Sequence, residues 1–203
     1  MKRAFFALYA LLLVVGCSGD KAGKNVSPEA VDLGLPSGTL WASFNVGATA
    51  PEQYGDYYAW GEIETKSTYS DPSAMCGMTI DDISGNATYD VAAAKWGDGW
   101  RMPTEDELEE LINQCEWGPE TVNGVNGYKF VGPNGNSIFL PAAGYKIDTR
   151  TAREGEYVSY WSSTPIGKNA YNILNRNGYG QNIEVSGSER YYGSPIRPVK
   201  SKQ

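Results

Sequence analysis

The spacing of apolar residues changes along this chain, and each change predicts an element. Ala4 to Val15 is a continuous apolar run behind Lys2 and Arg3, closed by Gly16 and Cys17. It is shorter than the ~20 residues that span a bilayer. It predicts a cleavable secretory signal over residues 1–16, outside the fold. Residues 17–29 are small and polar without periodicity, which predicts a flexible tether. The first packed residues expected are Val31 and Leu33. In 39–46, Leu40, Ala42, Phe44 and Val46 recur at period two and predict a strand with these four on one face. Tyr57–Trp60, set off by Gly55 and Gly61, predicts a second short strand. Residues 62–88 are polar and irregular, a long surface excursion. Asp90 is placed to cap a short helix through Val91–Ala94.

The clearest element is 104–115. Thr104 and Glu107 make a capping box behind Pro103. Leu108, Leu111, Ile112 and Cys115 fall at i, i+3, i+4 and i+7, one buried stripe. Glu105, Asp106 and Glu107 suit the positive end of the helix dipole and read as a solvated face. Beyond this helix the chain reads as all β. Tyr128–Val131 and Ser137–Leu140 flank Asn134-Gly135, a hairpin signal. Further strands are expected at Ser159–Ser163, Ala170–Leu174, Ile183–Val185 and Ile196–Val199, with turns at Asn177-Gly178 and Gly187. Strands, then helices, then a run of strands predict one α+β domain over 30–200.

Composition narrows the class. The chain of 203 residues carries a net charge of −7 and a pI near 4.7. Loss of Lys2 and Arg3 with the signal makes the mature chain more acidic still. No basic patch offers itself to nucleic acid. The absence of histidine removes the commonest general base, the commonest metal ligand and any serine–histidine triad. The 24 glycines, 14 tyrosines and 6 tryptophans describe a loop-rich fold with aromatic packing.

Leu13-Val14-Val15-Gly16-Cys17 resembles a bacterial lipobox. The resemblance implies cleavage before Cys17 and acylation of that residue, anchoring the chain in the outer membrane without a transmembrane helix. More than one acyl chain is needed for stable anchoring, and a triacylated cysteine supplies it. The residues after Cys17 include Asp20 but no acidic cluster, and the side of the membrane stays open. Cys76 and Cys115 then remain in an oxidising compartment, where an even number suggests a disulfide. Such a loop is worth about 4 kcal/mol in the chain-entropy model; two buried thiols are the alternative.

Several strings together resemble a known family. Val31-Asp32-Leu33-Gly34-Leu35-Pro36-Ser37-Gly38-Thr39-Leu40-Trp41-Ala42 runs on into Asn45-Val46-Gly47-Ala48. Tyr54-Gly55-Asp56-Tyr57-Tyr58-Ala59-Trp60-Gly61-Glu62 and Trp100-Arg101-Met102-Pro103-Thr104 follow. Then come Gly132–Gly144, Tyr160-Trp161-Ser162-Ser163-Thr164 and Ile196-Arg197-Pro198-Val199. Over about residues 30–200 they resemble the Fibrobacter-type major paralogous domain of Bacteroidetes surface proteins. Arg101–Glu105 is also similar to a string of the formylglycine-generating, sulfatase-modifying enzymes. The resemblance implies a C-type-lectin-like domain with antiparallel sheets, long ligand-carrying loops and termini that approach each other. Relatives often carry cysteine where this chain has Phe44.

Fold does not fix function. Formylglycine-type oxidation calls for cysteines in the C-terminal half, and none follows Cys115. No feature favours paired-carboxylate glycoside hydrolysis. The reading is therefore non-enzymatic: an envelope lipoprotein that binds glycan or protein, or else a structural subunit of a surface assembly. The candidate ligand residues are Asn175, Asn177, Tyr179, Gln181 and Asn182, an aromatic face among amide groups. A turn-rich hairpin tip is the plainer reading of the same string. Tyr54, Asp56, Tyr57, Tyr58 and Trp60 form a second cluster, read as packing. No cofactor is expected. Asp81-Asp82 and Glu62/Glu64 are acidic, but the calcium strings of calcium-dependent lectins are absent, and no lectin-type calcium is expected.

Overall fold

The computed structural model describes residues 27–70, 75, 79–175 and 182–202. The signal run, Cys17 and the tether up to Val26 lie outside them. In chain order the elements are β1 (Ala30–Asp32), β2 (Thr39–Ala42), α1 (Val91–Trp96) and α2 (Glu105–Gln114). Nine strands follow: β3 (Glu116–Val122), β4 (Val125–Val131), β5 (Ser137–Pro141), β6 (Tyr145–Ile147), β7 (Arg150–Ala152), β8 (Ser159–Ile166), β9 (Asn169–Asn175), β10 (Ile183–Glu189) and β11 (Val199–Ser201). Antiparallel sheets run β1-β2-β11, β10-β9-β8, β3-β4-β5 and β6-β7. This is a small α+β domain of antiparallel sheets with two helices.

Trp41 in β2 faces Val31 of β1 on one side and Val199 of β11 on the other. The first and last strands thus flank β2 on either side, and the two ends of the domain approach each other as expected. The strand signal in 39–46 is only half realised. Pairing stops at Ala42, and Trp41 rather than Leu40 fills the main core. Phe44 and Val46 are buried, but through irregular backbone that follows 196–198, with the Val46 amide donating to the Ile196 carbonyl. Tyr57–Trp60 is likewise no strand. It makes a single bridge, Tyr58 to Ser194. All four of its side chains are buried, so no alternation between faces exists. The Trp60 indole donates to the Ser162 carbonyl at 2.9 Å and the Trp161 indole to the Tyr58 carbonyl at 2.9 Å.

α2 forms as its sequence predicts. Thr104 and Glu107 exchange the two bonds of the capping box. Leu108, Leu111 and Cys115 enter the main core with Trp41, Phe130 and Tyr160, and the helix packs on β8, β9 and β10. Glu107 corrects the expectation of a solvated acid. It is 9% exposed and binds Arg101 through two bonds of 2.7 Å. It also accepts from the Thr39 hydroxyl at 2.8 Å, tying α2 to β2. Asp90 caps α1 as expected. Its other oxygen accepts from the Gly85 and Met102 amides, and burial pushes its carboxyl up.

The β4–β5 hairpin matches its Asn-Gly signal, with Gly135 at φ 86° in the turn. The β3–β4 hairpin turns on Asn123-Gly124, both at positive φ. β3 itself escapes a periodicity search because it is a half-exposed edge carrying Pro119. Gly187 sits inside β10 opposite Tyr171 rather than in a turn. The last strand begins at Val199, since 196–198 are held by other contacts. In the excursion before α1, Tyr69 and Ile83 are buried beneath an otherwise irregular path.

Those other contacts centre on Arg197, 1% exposed. Its guanidinium donates to Asn45 Oδ1 at 2.8 Å, the Ala42 carbonyl at 3.1 Å and the Phe139 carbonyl at 2.9 Å. Asn45 in turn donates to the Tyr54 carbonyl and the Tyr160 hydroxyl, which donates to the Pro141 carbonyl. Burial pulls the Arg197 pKa down to about 10, so the group stays charged at neutral pH.

Arg197→Met leaves three buried acceptors unpaired, and a loss of about 3 kcal/mol or more is expected in urea unfolding. Arg197→Lys is expected to recover little, because one ammonium cannot span three separated acceptors. Glu107 gives a pH-dependent test. Burial raises its carboxyl, but the Arg101 and Thr104 bonds outweigh this and hold it below its ordinary 4.5. Its stabilisation is therefore complete above 4.5 and disappears as pH falls through the lowered value. Glu107→Gln keeps the capping box and strands Arg101, at a cost of about 2–3 kcal/mol at pH 7. The gap between variant and parent is expected to narrow in urea titrations carried down to pH 3.

Candidate functional site

A cleft of about 660 Å³ is lined by parts of four chain segments. α1 and the turn after it supply its aromatic side. Asp90 fixes the start of the helix, and Gly97 at φ 59° ends it with its amide on the Ala93 carbonyl. Asp98 and Gly99 also take positive φ. The Trp100 amide closes the turn on the Gly97 carbonyl at 2.8 Å. This left-handed run brings Trp100 back beside Trp96, ring edge to face, with centroids 5.7 Å apart. Phe44 extends the row behind Trp96 at 5.9 Å. Phe44 therefore buttresses the cleft.

Val46, Gly47 and Ala48 form the opposing wall, with Asp56 next to them. Gly47 has φ 81°, and a Cβ there would collide with the Asp56 carboxylate and backbone amide. The Val46 carbonyl accepts from the Asp56 amide at 2.9 Å, and the Tyr58 hydroxyl donates to its carboxylate at 3.2 Å. Burial, then the neighbouring Asp56 charge, raises the Tyr58 phenol, which stays a proton donor across the physiological range. Lys200 lies over the Trp100 ring at 4.7 Å and 3.9 Å from Asp98. Lys95 lies over Tyr58 and pairs with Glu64 at 3.4 Å. Two lysines and two aspartates balance within the lining. The lining combines the half-buried Trp96 ring, backed by the nearly buried Trp100, with charged groups of both signs in equal number.

The sequence-derived candidates distribute unevenly. Asn177, Tyr179 and Gln181 lie outside the described residues. Asn175 ends β9, and Asn182 is exposed at the entry to β10. The Tyr54–Trp60 cluster is mainly packing, with Tyr57, Tyr58 and Trp60 buried, while Asp56 reaches the cleft. The residues that sequence reasoning missed are Trp96 and its neighbours. Their signal was the string Lys95-Trp96-Gly97-Asp98-Gly99-Trp100, two indoles around a left-handed turn.

Among the described residues, no three acidic or cysteine side chains gather closely enough to hold a metal ion. Glu62 pairs with Lys66 at 2.9 Å, and Asp82 accepts from Thr164. Among the same residues, no helix is long and apolar enough to cross a membrane. Cys115 is a free thiol in the core, while Cys76, its expected partner, lies outside the described residues. No protein-family model matches the chain, and no curated protein or solved structure matches it.

Burial pushes the Cys115 thiol up to about 11, so the reactive thiolate is scarce at pH 8. Iodoacetamide is expected to leave Cys115 unlabelled in the native chain, read by mass spectrometry. Denaturation without reductant then tests the Cys76–Cys115 bond. No label agrees with the bond, and a labelled Cys115 excludes it.

Proposed function

We propose that this chain is a non-enzymatic, lipid-anchored binding module of the outer membrane. In this reading residues 1–16 are the signal, Cys17 carries the lipid, 17–29 tether the domain, and 30–200 form a C-type-lectin-like domain. Its ligand is a saccharide held in the Trp96–Trp100 cleft. The observation that carries the reading is the half-buried Trp96, with Trp100 edge to face behind it, in one cleft with Asp56, Asp98, Lys95 and Lys200. Apolar sugar faces stack on aromatic rings, while hydroxyls take directed bonds from carboxylates, ammonium groups and backbone. The volume falls in the range of small-ligand sites. The lipobox and the family resemblance agree with this reading, and neither calls for a cofactor.

The test is an array of host and microbial glycans probed with the Cys17→Ser chain, with and without calcium. Saturable, calcium-independent binding to a defined saccharide is expected. Trp96 is half-buried, so Trp96→Ala is expected to leave the fold intact and weaken binding about thirtyfold, about 2 kcal/mol. If Trp96→Ala is neutral and Tyr179→Ala abolishes binding, the site moves to 175–182. A blank array on folded protein contradicts the glycan reading and moves the role to a subunit of a surface assembly.

A further inference from the structure

The chain enters the domain at the cleft. Ser27 and Pro28 line it together with Val46 and Lys200. Their position is pinned just downstream, where the Glu29 amide donates to Ser43 Oγ at 3.0 Å and the Glu29 carbonyl accepts from the Ser43 amide at 2.9 Å. β1 starts at the next residue.

Ser27 is ten residue steps along the chain from Cys17. A chain reaches at most about 3.6 Å per residue, so the cleft rim lies within about 36 Å of Cys17 whatever path those residues take. A folded domain of this size is about 40 Å across. The described chain therefore enters the domain at the cleft, and the rim stays within about one domain width of the anchor.

We infer that the saccharide bound in this cleft is carried by the anchoring membrane itself, as the headgroup of a glycolipid in the same leaflet. The inference rests on the proposals that Cys17 is lipidated and that the cleft takes saccharide. A headgroup in that leaflet lies within the reach that the tether allows the rim. The shape of the site also favours a headgroup entering the protein over indoles entering the bilayer. Trp100 is only 6% exposed, and Trp96 is packed between it and Phe44.

The experiment uses the full lipidated chain in phosphatidylethanolamine–phosphatidylglycerol vesicles, with and without lipopolysaccharide. The readout is protection of indole emission from acrylamide, with Trp96→Phe identifying the cleft contribution. A second version carries a semi-rigid spacer of EAAAK repeats between Asn25 and Val26, about 40 residues and about 60 Å long. Cys17→Ser chains with and without the spacer are titrated with deacylated lipopolysaccharide saccharide.

Protection is expected only when lipopolysaccharide is present, and the spacer is expected to weaken it at least about tenfold. Both Cys17→Ser chains are expected to bind the free saccharide equally. Binding of free saccharide together with no protection, or with protection indifferent to the spacer, overturns the inference and leaves the glycan reading standing. Protection on vesicles without lipopolysaccharide means contact with the bilayer itself and also overturns it. No binding in any arm counts against the glycan reading and removes the inference with it.

Discussion

A positive charge fixed in the interior constrains everything around it. The Arg197 guanidinium is surrounded by an amide oxygen and two backbone carbonyls. A buried ion is tolerated only when its donors are satisfied. The end of β2, the loop at Asn45 and β5 must therefore meet at one point, which explains why β2 stops at Ala42. Asn45 passes the constraint on, holding the Tyr54 carbonyl and the Tyr160 hydroxyl with its amide nitrogen. The next residues, Val46 and Gly47, form one wall of the cleft, and Asp56 follows two residues after Tyr54. The cleft wall is a continuation of the core network rather than an independent loop.

The strings that carry the family resemblance fall on this framework. Trp41, Asn45, Trp60 and Trp161 are fully buried, and Arg101 and Glu107 join α2 to β2 through Thr39. Arg190 repeats the device elsewhere, lying 4.3 Å from the centre of the Trp60 ring and donating to the Met75, Gly167 and Asn169 carbonyls. Such residues specify how segments meet and say little about a ligand. The side chains that give the cleft its chemistry are different ones, chiefly Lys95, Trp96 and Asp98, together with Trp100 at the start of a resemblance string.

What was legible in the sequence was local. The capping box of α2, the Asp90 cap and the Asn134-Gly135 hairpin depend on residues a few positions apart, and each formed. Signals that depend on distant partners were misread. Glu107 looks like a solvated acid until Arg101 and Thr39 close on it. Tyr57–Trp60 looks like a strand because its aromatics are β-formers, yet its burial comes from contacts with 143, 162 and 194. β3, β6 and β7 are half-exposed and carry little hydrophobic contrast. The cleft was hidden for the same reason, since its walls come from 27–28, 46–56, 95–100 and Lys200. Trp96 and Trp100 read singly as ordinary core aromatics.

The most direct test of the cleft as the ligand site is an indole N–H spectrum of the Cys17→Ser chain during titration with a saccharide that it binds. The chain has 6 tryptophans, and their indole signals are few enough to assign by single substitutions. The account predicts saturable shifts at Trp96 and Trp100 while the signals of buried Trp41, Trp60 and Trp161 stay still. Saturable binding that leaves Trp96 and Trp100 unmoved would contradict it.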